Sequence, residues 1–129
     1  MRSLIFAGIQ RYSLFSPNHV GNDAAIFSAV AQYLKENGHQ VNMYTEQEFL
    51  TNSLKGEKYI FTMMRSKASV RKLQKLEGKE DCFAVNSGHG IENCTRERMT
   101  TLLLENQISH PRSLIWDTND GVPEALIKP

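Results

Sequence analysis

Three stretches of the 129-residue chain gather side chains suited to holding an anion. Residues 13–22 contain Asn18 and His19, a second stretch is Arg65-Ser66-Lys67, and residues 86–93 open with Asn86-Ser87-Gly88-His89-Gly90. Guanidinium, ammonium, amide and hydroxyl donors of this kind fit a carboxylate or a phosphate, above all where helix N-termini add their free N–H groups. Asn18, His19, Arg65, Asn86 and Ser87 are therefore the candidate substrate-binding residues, with Lys67 and His89 beside them. Hydrophilic loop tips carry the same residue types without binding anything. No acid, base or nucleophile is assigned among them, so the catalytic residues stay unknown.

Other chemistries find less support. Gly88-His89-Gly90 begins like a dinucleotide-binding GxGxxG, but Asn93 stands at the third glycine and the motif follows the fourth expected strand instead of the first. NAD is not expected. A Gly-Lys-Ser/Thr of the phosphate-loop type does not occur, nor does the G-x-S-x-G turn that presents a nucleophilic serine. His19, His39, His89 and His110 form no i, i+4 pair, and no metal site is expected. Cys82 and Cys94 have neither metal-type spacing nor a disulfide-rich context. Two reduced thiols in a cytoplasmic protein is the expectation, with a single bridge as the other option, and Cys82 on a strand and Cys94 at a helix start are read as packing residues.

The elements that must position these loops follow from periodicity. Residues 4–9 are a nearly continuous apolar run, as a strand covered on both faces requires. Ile26, Val30, Tyr33 and Leu34 recur on one helical face, which is expected to pack on the core, with Asn22 or Asp23 as its cap and Gly38 beyond its end. Residues 41–44 predict a second strand, and Thr45 and Glu48 a capping box for a brief helix. Residues 59–63 predict a third strand, followed by a helix lined by Val70, Leu73 and Leu76 and ended by Gly78. Residues 82–85 predict a fourth strand, and beyond the loop comes a helix placing Met99, Leu102 and Leu103 in the core. It breaks before Pro111, and residues 114–116 predict a fifth strand. Strands alternating with helices give an α/β fold, a three-layer Rossmann-like domain with a largely parallel open sheet.

Composition agrees with one soluble domain: 40% hydrophobic residues can build a core, and 22% charged residues is not a disordered value. Fifteen Lys and Arg against fourteen Asp and Glu leave +1. Without a basic patch, a nucleic-acid partner is not expected. No apolar run approaches the roughly 20 residues that cross a bilayer, so no membrane partner is expected either, and the first nine residues read as a strand instead of a leader. Residues 123–128 look like a helix opening, which is either the start of a fold continued in a longer parent or a frayed terminus.

The stretch Val85-Asn86-Ser87-Gly88-His89-Gly90-Ile91-Glu92-Asn93-Cys94, through Leu102-Leu103-Leu104, to Ile108-Ser109-His110-Pro111-Arg112-Ser113-Leu114-Ile115 resembles the ATP-grasp ligases. The likeness is to the glutamate-ligase and D-alanine–D-alanine-ligase-like group. It covers residues 82–116, and Gln107 stands where that group carries Gly. It implies a preATP-grasp domain over residues 1–116, with residues 117–129 a linker or the start of a following ATP-binding domain. The implied activity is ATP-dependent carboxylate–amine ligation through an acyl phosphate, with ATP and magnesium bound in a full-length parent and no cofactor in the 129-residue chain alone. Its partners would be a small carboxylate or amino-acid substrate and the missing ATP-binding domain. Asn18, His19, Arg65, Asn86 and Ser87 would form one wall of the substrate cleft, and the isolated chain would be catalytically silent. An exposed apolar patch is expected where the missing domain docks, unless a homodimer covers it. The other reading is a stand-alone Rossmann-like module that binds a small anion or another protein.

Overall fold

An apolar hexapeptide, Ile5–Gln10, forms strand β1 in the computed structural model, which describes residues 2–11, 20–79 and 81–121. Along the chain follow α1 (Val20–Glu36), β2 (Gln40–Thr45), α2 (Glu46–Thr51), β3 (Tyr59–Thr62), α3 (Lys67–Glu77), β4 (Phe83–Val85), α4 (Gly88–Asn93) and α5 (Arg96–Glu105), then one 3-10 turn at Thr118–Asp120. Residues 1–92 make one compact unit and residues 93–129 a second.

All four strands are parallel, in the order β2-β1-β3-β4. Alternation along the strands sends Ala7, Ile9 and Ile60 to one face and Phe6, Gly8 and Phe61 to the other. The first face is sealed by Phe49 of α2, Val70 and Leu73 of α3, and Ile91 of α4, which with Met64 complete the main core. On the second face Phe27 of α1 stacks on Phe61, with ring centroids 5.3 Å apart. Helices on both faces of a parallel open sheet make this a three-layer, Rossmann-like α/β fold. Gly8 is required by that second face: a Cβ there would lie 2.6 Å from both Met43 Sδ and Phe61 Cζ.

The local signals that end and begin elements behave as their chemistry dictates. Thr45 and Glu48 form a reciprocal capping box on α2. Gly38 takes φ 83° after α1, and the N–H groups of Gly38 and His39 donate to the carbonyls of Lys35 and Leu34. That pattern is a Schellman motif. Lys72 of α3 donates to the carbonyls of Phe49 and, at 2.9 Å, Asn52, so a cation closes the carbonyl end of α2.

Four expectations are corrected. The buried stripe of α1 is Phe27, Ala31 and half-buried Leu34, whereas Ile26, Val30 and Tyr33 are exposed. Both stripes are apolar with the same spacing, and the sheet aromatic Phe61 selects the one led by Phe27. That helix also starts at Val20, so Asn22 and Asp23 lie inside its first turn instead of capping it. The single helix expected after β4 is two helices, because Thr95 caps α5 through Arg98 N–H. Cys94 is consequently an exposed residue between helices, and α5 buries no residue, with Met99 exposed and Leu102 and Leu103 half-buried. Finally, residues 114–116 form no strand: all three are exposed, and the segment joins no ladder of the four-stranded sheet that would hold it extended.

Candidate functional site

The carboxyl ends of β1, β3 and β4 are cross-braced by polar side chains. Thr62, buried at the end of β3, donates from Oγ1 to the Ile9 carbonyl at 3.0 Å and accepts from the Met64 N–H at 3.0 Å. Asn86, beyond the cis Val85–Asn86 peptide at the end of β4, donates from Nδ2 to the Thr62 carbonyl at 3.2 Å. Arg11, just past β1, donates from Nε to the Met63 carbonyl at 3.2 Å and pairs with Asp23 at 3.2 Å. Open α/β sheets bind ligands at this end.

Of the five sequence candidates, three fall here. Arg65 follows β3 with an exposed side chain, Asn86 follows β4, and half-buried Ser87 caps α4 by accepting the Ile91 N–H on its carbonyl at 2.9 Å. Asn18 and His19 lie outside the described residues. Lys67 and His89 are exposed at the starts of α3 and α4.

Several backbone donors at this mouth are already engaged. Glu46, buried in the first turn of α2, accepts the N–H groups of both Arg65 and Ser66 on Oε1, each at 3.0 Å. Ser66 in turn caps α3, its Oγ accepting from Ser69 N–H at 3.2 Å. Glu77 accepts the Gly88 N–H at 2.9 Å at the start of α4, and Gln74 holds the Gly88 carbonyl at 3.3 Å and Glu92 at 2.8 Å. Gly88 is needed for this approach, because a Cβ would sit 2.9 Å from Gln74 Cγ and 3.1 Å from its backbone nitrogen. Internal carboxylates thus occupy amides that a phosphate would have used. Of the side chains at this mouth, that of Arg65 is an exposed cation.

Glu46, Thr62, Arg11 and Glu77 were not legible as site residues. Glu46 reads as an exposed first-turn acid of the capping-box helix. The usable signal was its place directly after a strand of a parallel sheet, which points it at the crevice.

A second concavity opens along edge strand β2, a cleft of about 490 Å³ lined by Met43, Tyr44, Glu48, Asn52, Ser53 and Lys55. Beneath it the Tyr44 hydroxyl donates to Oε1 of buried Glu57, which also accepts from Asn42 Nδ2 at 2.8 Å. Burial, the bond to Glu57 and the charges of Glu57 and Glu48 push the Tyr44 pKa up to about 12. For Glu57, burial opposes ionisation, but the bonds from Tyr44, Asn42 and nearby backbone N–H groups prevail and hold its pKa below the usual carboxylate value. Burial and the Glu77 charge raise the Cys82 thiol, against a smaller lowering by Lys79.

Among the described residues no group of three or more His, Cys, Asp or Glu side chains is placed to hold a metal ion. No helix among them is long and apolar enough to cross a membrane. Comparison with known proteins finds no matching family model, no matching curated protein and no matching solved structure.

Proposed function

We propose that this chain is the substrate-cleft domain of an ATP-dependent carboxylate–amine ligase, with Arg65, Asn86 and Ser87 on one wall of the cleft. The observation that carries the reading is that Arg65 and the Asn86-Ser87 pair follow the carboxyl ends of adjacent parallel strands, β3 and β4, with Asn86 bonded to the Thr62 carbonyl at the end of β3. An exposed guanidinium there can take a substrate carboxylate through two parallel bonds, while Asn86 and Ser87 fix its orientation. Side-chain recognition suits the small acid or amino acid, because Glu46 and Glu77 already fill backbone positions where phosphates would bind.

Gln107 adopts φ 55°, a left-handed conformation natural to Gly, at the position where the resembled ligases carry Gly. In this reading ATP and magnesium would be held by an ATP-binding portion of a longer parent, and the 129-residue chain alone would be silent; among the described residues no group of three or more His, Cys, Asp or Glu side chains is placed to hold a metal ion. The reading places the protein in the cytoplasm, where unpaired Cys82 and Cys94 stay reduced.

The test is the intact mass of the native product in its source cell, followed by ATP hydrolysis with candidate acid and amine pairs. A product well above 14.7 kDa that turns over ATP only with both substrates is expected. A native product of 14.7 kDa would overturn the ligase reading and leave an anion-binding module.

A further inference from the structure

Among the described residues of 1–92, one half of a sheet face has no helix over it. The register places Phe6, Tyr59 and Phe83 in one row and Gly8, Phe61 and Val85 in the next, all on the α1 side. Phe6 meets Tyr59 at 5.4 Å and Tyr59 stacks on Phe83 at 5.8 Å, so an aromatic row runs from β1 out to the edge strand. Right-handed crossovers put α1 in front of β1 and β2 and place α2 and α3 behind the sheet. The front of β4 is left open, with Phe83 62% and Val85 70% exposed.

A second apolar surface meets this floor at an angle. In a right-handed helix running antiparallel to the strands, with Phe27 and Ala31 against the sheet, the residues one position earlier lie on the flank turned toward β3 and β4. Those residues are Ile26, Val30 and Tyr33, which are 52%, 38% and 66% exposed. Flank and floor therefore form one L-shaped apolar corner. Between Asp23 and Lys35 the helix carries no charged residue, and its outermost positions include exposed Ala25 and Ala29.

We propose that this corner is the interface of a symmetric homodimer. An L-shaped surface is complementary to its own copy under a two-fold axis along the strands. Each α1 then lies beside its mate through Ile26, Val30 and Tyr33, and sets Ala25 and Ala29 down on the partner's β4 floor. Small residues allow that approach, and an uncharged patch meets its own copy without like-charge repulsion. With side-chain areas of roughly 200 Å², the exposed fractions amount to roughly 600 Å² per copy, or roughly 1,200 Å² in the pair, the lower edge of a stable interface. The proposal does not depend on the ligase reading.

Sedimentation equilibrium of the full chain tests it, run beside Tyr33→Glu and Ala29→Arg, both exposed helical positions whose replacement leaves the folded monomer intact by circular dichroism. The expected result is twice the chain mass for the parent sequence and at least a tenfold weaker dimer for each variant. A parent that stays monomeric at all concentrations overturns the proposal, and hydrogen-exchange protection of the α1 flank in that monomer would assign the cover to another segment of the same chain. A dimer that both folded variants retain overturns it as well, by placing the interface elsewhere.

Discussion

Tyr44 and Glu57 each hold the other in one protonation state, and their contributions have opposite pH limits. Glu57 has a folded pKa below the usual value, so its stabilisation is complete above about pH 4.3 and is lost as pH falls through the lower folded value. Tyr44 is raised to about 12, so its contribution is complete below its ordinary value near 10 and is lost as pH rises through about 12. Tyr44→Phe removes the hydroxyl donor and leaves Glu57 buried with one donor fewer. Urea unfolding is expected to show a loss of about 1–3 kcal/mol at pH 7, with a shallower loss of stability in acid than the parent chain shows. Absorbance titration should also lose the late phase near pH 12 from one of the four tyrosines. An unchanged midpoint at pH 7 would mean that the Tyr44–Glu57 bond contributes nothing. None of this pair was legible in the sequence, because Asn42, Tyr44 and Glu57 come together only when the loop before β3 folds back beside the edge strand. Arg65, Asn86 and Ser87 were legible, since their place after strands follows from apolar runs alone. Their backbone surroundings were not, because the burial of Glu46 depends on how α2 meets the start of α3.

At the scale of elements, punctuation was easier to read than orientation. The Thr45–Glu48 capping box and the Gly38 terminus are local chemistry, complete within a few residues, and both formed as their sequences dictate. The core face of α1 was not local: two parallel apolar stripes satisfy the same period, and only the sheet beneath chooses between them. The break between α4 and α5 was hidden for a related reason, since Thr95 inside an unbroken polar stretch gives no sign that it will cap. The end of α5 yields a specific expectation. Gln107 closes a Schellman motif, its N–H bonding the Leu104 carbonyl at 3.2 Å and the Ile108 N–H bonding the Leu103 carbonyl at 3.0 Å, with φ 55° at Gln107. A side chain in that region is strained by about 1 kcal/mol, partly offset by the greater unfolded freedom of glycine. Gln107→Gly is therefore expected to stabilise the unit of residues 93–129 by about 0.5 kcal/mol, read as slower amide exchange through α5. Faster exchange would show that the glutamine side chain contributes more than its backbone strain removes.

For the whole molecule, the order of alternating strands and helices was enough to fix a parallel sheet and to say which end of it would carry the polar loops. The four strands agree with that reading, and the expected fifth does not form. The fold then places Arg65, Asn86 and Ser87 at one mouth while keeping its main core behind the sheet, in α2, α3 and α4. The division at residue 93 was not legible, because nothing in the composition changes there. The proposed function has this mouth recognise a carboxylate through side chains. Its most direct test is an amide NMR titration of the full chain with L-glutamate, beside Arg65→Ala and with inorganic phosphate as the comparison anion. A single wall of a cleft should bind in the millimolar range, worth about 4 kcal/mol. Saturable shifts are expected at residues 62–67 and 85–89 with L-glutamate, weaker shifts with phosphate, and loss of the L-glutamate response in Arg65→Ala with the fold unchanged. Equal responses in the parent and in Arg65→Ala, or shifts confined to the cleft around Met43 and Lys55, would contradict it.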